Sequence, residues 1–294
     1  MQKRNVLNSP RLRELKKHRH RGVRNKILLC LLAVLMIFFG CVYISRISIF
    51  QINRVEVIGN KVVDTEAITE IAQKEMVGKY LWLFPKINIL LYPRNAIKKE
   101  LSNNFRRLNT INLNIKTKNT LQITVTERTG VYTWCGPARN MTDTTGITKA
   151  EKCYFMDENG YIFDEAPYFS GEVYFKFYGL TNIKDSSNPV GSSFGEKDFK
   201  QLISFKNVLV NLGMKPTALY SSEDGDIHVL LSGGITGKTG PEIILKADSD
   251  FGVMAENLQA ALSTEPFQSD FKNKYSSLVY IDLRYGNKVF YKFK

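Results

Sequence analysis

Ile27–Ser45 reads ILLCLLAVLMIFFGCVYIS and contains no charged residue and no proline. At about 1.5 Å of rise per residue, a helix of this length covers roughly 28 Å, close to the hydrocarbon thickness of a bilayer. A helix apolar on every side offers water no face, and a soluble core helix this long normally keeps a polar stripe. The competing reading is a cleavable secretory signal. Its apolar core is usually only about 7–15 residues and closes on small residues. Here the run ends Val42-Tyr43-Ile44-Ser45-Arg46, and the bulky Phe38-Phe39 before Cys41 argues against a lipoprotein site. The stretch reads as an uncleaved transmembrane helix, and the chain divides around it.

Residues 1–26 hold ten Lys or Arg against the single acid Glu14, a surplus of nine out of the net +13. The other 268 residues are therefore near balance, and the basic pI belongs to the tail. A basic run alone could bind nucleic acid. Directly before a membrane span it obeys the positive-inside rule, helped by anionic headgroups. We therefore expect a cytoplasmic tail (1–26), a span (27–45) and an exported C-terminal part: a single-pass type II protein of the plasma (inner) membrane, with the lipid bilayer as partner and no nucleic acid. Cys30 and Cys41 fall in the span, where Cys is an apolar filler. Cys135 and Cys153 are the exported pair and candidates for a disulfide, which over a loop of this length contributes about 3 kcal/mol. Neither a His nor a further Cys lies near enough in sequence to complete a metal site, and no cofactor is expected.

The exported chain starts only a few residues beyond the span, so its first domain should sit at the bilayer surface. Phe50–Ile58 alternates as a strand and ends at Gly59-Asn60. Asp64 offers an N-cap for a helix reaching about Lys74, with Ile68, Ile71 and Ala72 inward. Leu81-Trp82-Leu83-Phe84 reads as a buried cover. Pro93 opens a helix over Arg94–Asn104 with Ala96, Ile97 and Leu101 inward. Two alternating strands follow, turning at Lys118-Asn119-Thr120. Past Arg128 the texture changes to short strands: near 131–134, 153–156, 161–163, 173–177, 217–221, 227–232 and 242–246. Two helices interrupt them, Glu196–Asn211 and Asp250–Leu262. A strand through Leu283, a turn at Gly286-Asn287 and a last alternating strand close the sequence. The fold class is α+β: a transmembrane helix, a β-α-α-β-β domain and a mixed, mostly antiparallel β-domain with two helices.

Three segments carry a family likeness: Phe50-x-Ile52-x-x-Val55-x-Val57-x-Gly59-Asn60, Thr120-Leu121-x-Ile123-x-Val125-x-Glu127-Arg128, and Tyr280-Ile281-Asp282-Leu283-Arg284-Tyr285-x-Asn287-x-Val289. In this order, behind a basic tail and one span, they resemble the FtsQ/DivIB family of bacterial cell-division proteins over nearly the whole chain. The resemblance implies a POTRA-like domain at 50–128 and the family's β-domain at 129–294. It further implies a non-catalytic scaffold of the divisome that helps control septal peptidoglycan synthesis. Partners of the FtsB/DivIC and FtsL type would dock on the edge formed by Arg284, Tyr285 and the strand that follows. Two departures stand out: the long insert between Cys135 and Cys153, and Thr129-Gly130 where the family usually places Pro after Glu-Arg.

Chemistry finds little footing. Ser232–Thr239 imitates a phosphate loop, but the required first Gly is a Ser and the run joins two strands, so it reads as a hairpin loop. Asp157-Glu158 and Glu223-Asp224-x-Asp226 fall in turns, where carboxylates are ordinarily solvated. His228 reads as a filler, and no G-x-S-x-G elbow occurs. We expect no enzyme and no small-molecule substrate. In Lys288–Lys294, Val289, Tyr291 and Phe293 alternate with Lys288, Phe290, Lys292 and Lys294. A strand with one side unpaired templates a partner strand, although edge Lys also serves to prevent pairing. The alternative class is a membrane-anchored POTRA-type factor that handles polypeptides in envelope biogenesis or secretion. A hydrolase built on the β-domain is a remote third.

Overall fold

A computed structural model describes residues 10–136, 152–169, 171–179, 188–195, 199–222, 224–233 and 240–294. The fold is mixed α/β, with an N-terminal apolar helix and a large, mostly antiparallel sheet. Two units divide the chain: Met1–Phe105 with Thr110–Thr126, and Arg106–Asn109 with Glu127–Lys294.

The first unit begins with α1 (Pro10–Ser45), which runs back through the basic stretch. Its Gly22–Ser45 portion is long and apolar enough to cross a membrane. The helix exit is tied down by side chains. Asn88 Nδ2 donates to Ser45 O at 3.0 Å, and Gln51 Nε2 donates to Arg46 O at 2.9 Å, satisfying carbonyls that a helix end leaves without partners. The expected strand from Phe50 starts later. Ser48–Phe50 is a single 3₁₀ turn and β1 spans Arg54–Ile58. Phe50 O and the Ile52 N–H are drawn off by Ile89 and Ile87, which breaks the alternating ladder.

Asp64 caps α2 (Thr65–Met76) by accepting the Ala67 N–H at 3.0 Å, and Ile68, Ala72 and Met76 are buried. A short hairpin with two residues in each strand follows, β2 (Lys79–Tyr80) with β3 (Phe84–Pro85). The expected buried cover is overturned there: Leu81 is 82% and Trp82 90% exposed. Both are the turn residues of the hairpin, so their side chains project away from it. α3 (Arg94–Asn104) buries Ile97 and Leu101, but Ala96 faces outward because only the i, i+4 stripe meets α2. β4 (Leu108–Thr117) and β5 (Thr120–Glu127) complete the sheet in the order β1-β5-β4, with β1 and β5 parallel. Leu121, Ile123 and Val125 of β5 are buried, as their alternation required. Gly59 (φ 93°) ends β1 where an added Cβ would lie 2.2 Å from Val125 O, so only glycine fits.

Among the described residues, the second unit is built on a nine-stranded sheet ordered β14-β13-β12-β11-β10-β9-β6-β7-β8. The strands are β6 (Tyr132–Trp134), β7 (Tyr154–Met156), β8 (Ile162–Glu165), β9 (Lys176–Tyr178), β10 (Pro216–Ser221), β11 (Asp226–Leu231), β12 (Glu242–Lys246), β13 (Leu278–Tyr285) and β14 (Lys288–Phe293). Val173, placed in a strand by the sequence, is 60% exposed and lies before β9 begins. Among the described residues three helices, not two, pack on one face: α4 (Phe199–Asn211), α5 (Phe251–Leu262) and α6 (Phe267–Lys274). α6 leaves little trace in the sequence because eight residues give barely two turns of periodicity; Pro266 before it is its one helix-start signal. The expected start of α4 at Glu196 lies outside the described residues, as do most of the Ser232–Thr239 loop and the 137–151 insert.

Trp134, Phe177, Phe194, Phe199, Phe205 and Phe251 form the centre of this core with alternate residues of β10–β13. Antiparallel pairing of Trp134 with Tyr154 sets Cys135 and Cys153 side by side at the ladder's end, where a disulfide joins them.

Candidate functional site

β14 is an edge strand whose only strand neighbour among the described residues is β13. Its alternation gives the two faces different work. Val289, Tyr291 and Phe293 are half-buried against the core, and the Tyr291 ring stacks on Phe267 of α6 with centroids 3.9 Å apart. Lys288, Phe290 and Lys292 point the other way and are exposed. Phe290 meets Tyr285 edge-on at 5.3 Å, and the two rings are 49% and 56% exposed. The β13–β14 turn at Gly286-Asn287 is held from α5, where Asn257 Nδ2 donates to Gly286 O at 3.1 Å. The result is an apolar aromatic pair flanked by cations, beside a backbone edge that no other described strand covers. That combination suits an incoming extended segment with apolar and acidic side chains.

Arg284 does not reach outward. Its Nε and Nη2 donate to Asp282 Oδ1 and Oδ2 at 2.9 and 2.6 Å, and its Nη1 donates to Asp226 Oδ2 at 2.7 Å. The guanidinium also lies over the Tyr285 ring at 5.6 Å. Arg284 is thus a positioning residue for Tyr285 rather than a surface cation. Of the turn acids expected to be solvated, Glu158 and Asp224 are exposed and Glu223 lies outside the described residues, but Asp226 is only 18% exposed and pairs with Arg284, as does Asp282 at 8%. Asp157 departs from expectation in the same way. It is buried, pairs with Arg128, and accepts the N–H groups of Asn159 and Tyr161 at 2.9 and 3.0 Å. His228 stacks on Tyr220 at 4.6 Å and approaches Glu242 at 3.2 Å, a packed position in the sheet.

Burial pushes the Asp282 carboxyl up, but the side-chain and backbone hydrogen bonds from Arg284 outweigh it and hold the group below its ordinary value. A depressed native pKa gives stability that is complete above the unfolded value and drains as pH falls through the native one. The urea midpoint of the protein should therefore fall as pH drops through and below the ordinary carboxylate range, and Asp282→Asn should flatten that dependence. An unchanged slope in that variant would assign the acid sensitivity to other carboxylates.

The first unit holds a further concavity, an open groove of about 550 Å³ between β1 and the end of α2, lined by Ile52, Val55, Met76, Val77 and Ile87. No protein-family model matches the chain, and no curated protein matches it significantly.

Proposed function

We propose that the chain is a non-catalytic, single-pass membrane scaffold of the FtsQ/DivIB kind, which gathers division proteins at the outer face of the plasma membrane and helps control septal wall synthesis by contact. The observation that supports this reading most directly is the β13–β14 edge: a strand paired on one side only among the described residues, an exposed Tyr285–Phe290 pair and the exposed cations Lys288 and Lys292. The basic run ahead of the apolar stretch of α1 favours a cytoplasmic N-terminus. In this reading residues 50–128 form a POTRA-like domain and the β14 edge receives a strand from a partner of the FtsB/DivIC or FtsL type.

The test is site-specific photocrosslinking in cells, with a benzophenone amino acid replacing Phe290, followed by mass spectrometry of what is caught. The expected products are small single-span division proteins, together with midcell rings from a fluorescent fusion. Capture of diverse unfolded envelope polypeptides, with uniform envelope label, would instead favour a polypeptide-handling factor. Protease added outside protoplasts should remove everything after α1 and spare the basic tail.

A further inference from the structure

In the loop between β2 and β3 the Leu83 N–H donates to Tyr80 O, closing a turn whose two central residues lie in the left-handed region, Leu81 at φ 47° and Trp82 at φ 65°. A turn that needs two positive φ angles is ordinarily built from Asn-Gly or Asp-Gly, and a bulky side chain there costs about 1 kcal/mol or more per residue. The chain instead spends the turn on two large apolar residues, and both are almost fully exposed. In water such a tip is unfavourable twice over, in backbone strain and in exposed apolar surface. Its surroundings explain it. Phe84 of β3 packs edge-on against Phe38 of α1, with ring centroids 5.9 Å apart. Phe38 lies eight residues before Arg46, the first charge after the apolar run, which is about 12 Å back along the helix. A hairpin touching α1 at that level is alongside the span, not above it. Arg46 Nε and Nη2 reach down the helix to donate to Leu83 O at 3.3 Å, satisfying a carbonyl that lipid could not. Lys79 and Lys86 flank the tip, and Lys86 Nζ sits 5.8 Å above the Tyr80 ring. Leu90 is likewise 82% exposed, on the loop where Asn88 grips the end of α1.

We propose that the Leu81-Trp82 tip is inserted in the outer leaflet of the bilayer beside α1, a second anchor that fixes the first unit on the membrane surface. Aromatic and apolar side chains buried at the edge of the hydrocarbon, with Lys or Arg on the water side, are the arrangement that membrane interfaces select. The occupant is lipid, because the contact with Phe38 sets the tip at the depth of the span. The inference rests on α1 crossing the membrane.

The chain has two tryptophans, Trp82 and the buried Trp134, so subtracting the emission of Trp82→Phe from that of the unaltered protein isolates Trp82. The experiment uses the full chain in phosphatidylglycerol–phosphatidylethanolamine vesicles, with and without brominated acyl chains. The Trp82 component should emit to the blue of a water-exposed indole and be quenched by brominated lipid. Emission that stays water-like and indifferent to brominated lipid, in a protein that resists carbonate extraction, overturns the second anchor alone. Shielding from iodide without quenching by brominated lipid also overturns it, since the tip is then covered by protein. Release of the protein by carbonate overturns the span as well.

Discussion

Arg284→Ala lowers the stability of the second unit by about 3 kcal/mol, read as a fall in the thermal midpoint of the full chain in detergent. The substitution removes three charge-assisted bonds and strands two shielded carboxylates, Asp282 and Asp226. Breaking a buried pair from one side generally costs about 3–5 kcal/mol because a charge is left without compensation. The lower end applies here, since the Arg284 side chain keeps 32% of its surface exposed. Arg284→Lys retains the charge but not the planar fork that engages both Asp282 oxygens, so it recovers only part of the loss. Adding Asp282→Asn to Arg284→Ala should also recover part, because the stranded charge sets more of the loss than the missing bonds do. A full-strength thermal midpoint in Arg284→Ala, combined with lost partner capture, would make Arg284 a contact residue after all.

Arg284 marks the boundary between what was legible in the sequence and what was not. Local patterns carried α2, whose Asp64 cap and Ile68/Ala72 stripe are both within one helix, and β5, whose alternation is complete over Leu121, Ile123 and Val125. They carried β14 too, and with it the split between Phe290 outward and Tyr291 inward. The pairing of the acids is not legible locally because their partners are remote. Asp157 meets Arg128 from 29 residues away, and Asp226 meets Arg284 from 58. Turn residues look solvated until the fold brings a guanidinium to them. Leu81-Trp82 failed for a different reason. An apolar cluster announces removal from water, but the pattern alone does not say whether protein or lipid performs it. Contact with a residue inside the apolar helix, Phe38 against Phe84, is the information the linear chain lacks.

The half-buried side of β14 makes a poor probe of partner binding. Tyr291→Ala would remove a ring stacked on Phe267 and so disturb α6, and any loss of capture would follow from the damaged core. Phe290 has no such duty: its neighbour is Tyr285, itself exposed. Phe290→Asp should leave the thermal midpoint nearly unchanged, with less than about 1 kcal/mol lost with the aromatic pair. Against the protein caught at position 290, titrated into solubilised membranes, it should weaken binding about 30-fold or more, the loss expected for an aromatic anchor at the centre of an interface. The new carboxylate also sits between Lys288 and Lys292, cancelling the attraction for an acidic segment. Lys288→Glu with Lys292→Glu should weaken capture mainly at low salt, where exposed charges are least screened. Undiminished capture by Phe290→Asp would mean that β14 only closes the sheet, its lysines there to keep other strands away.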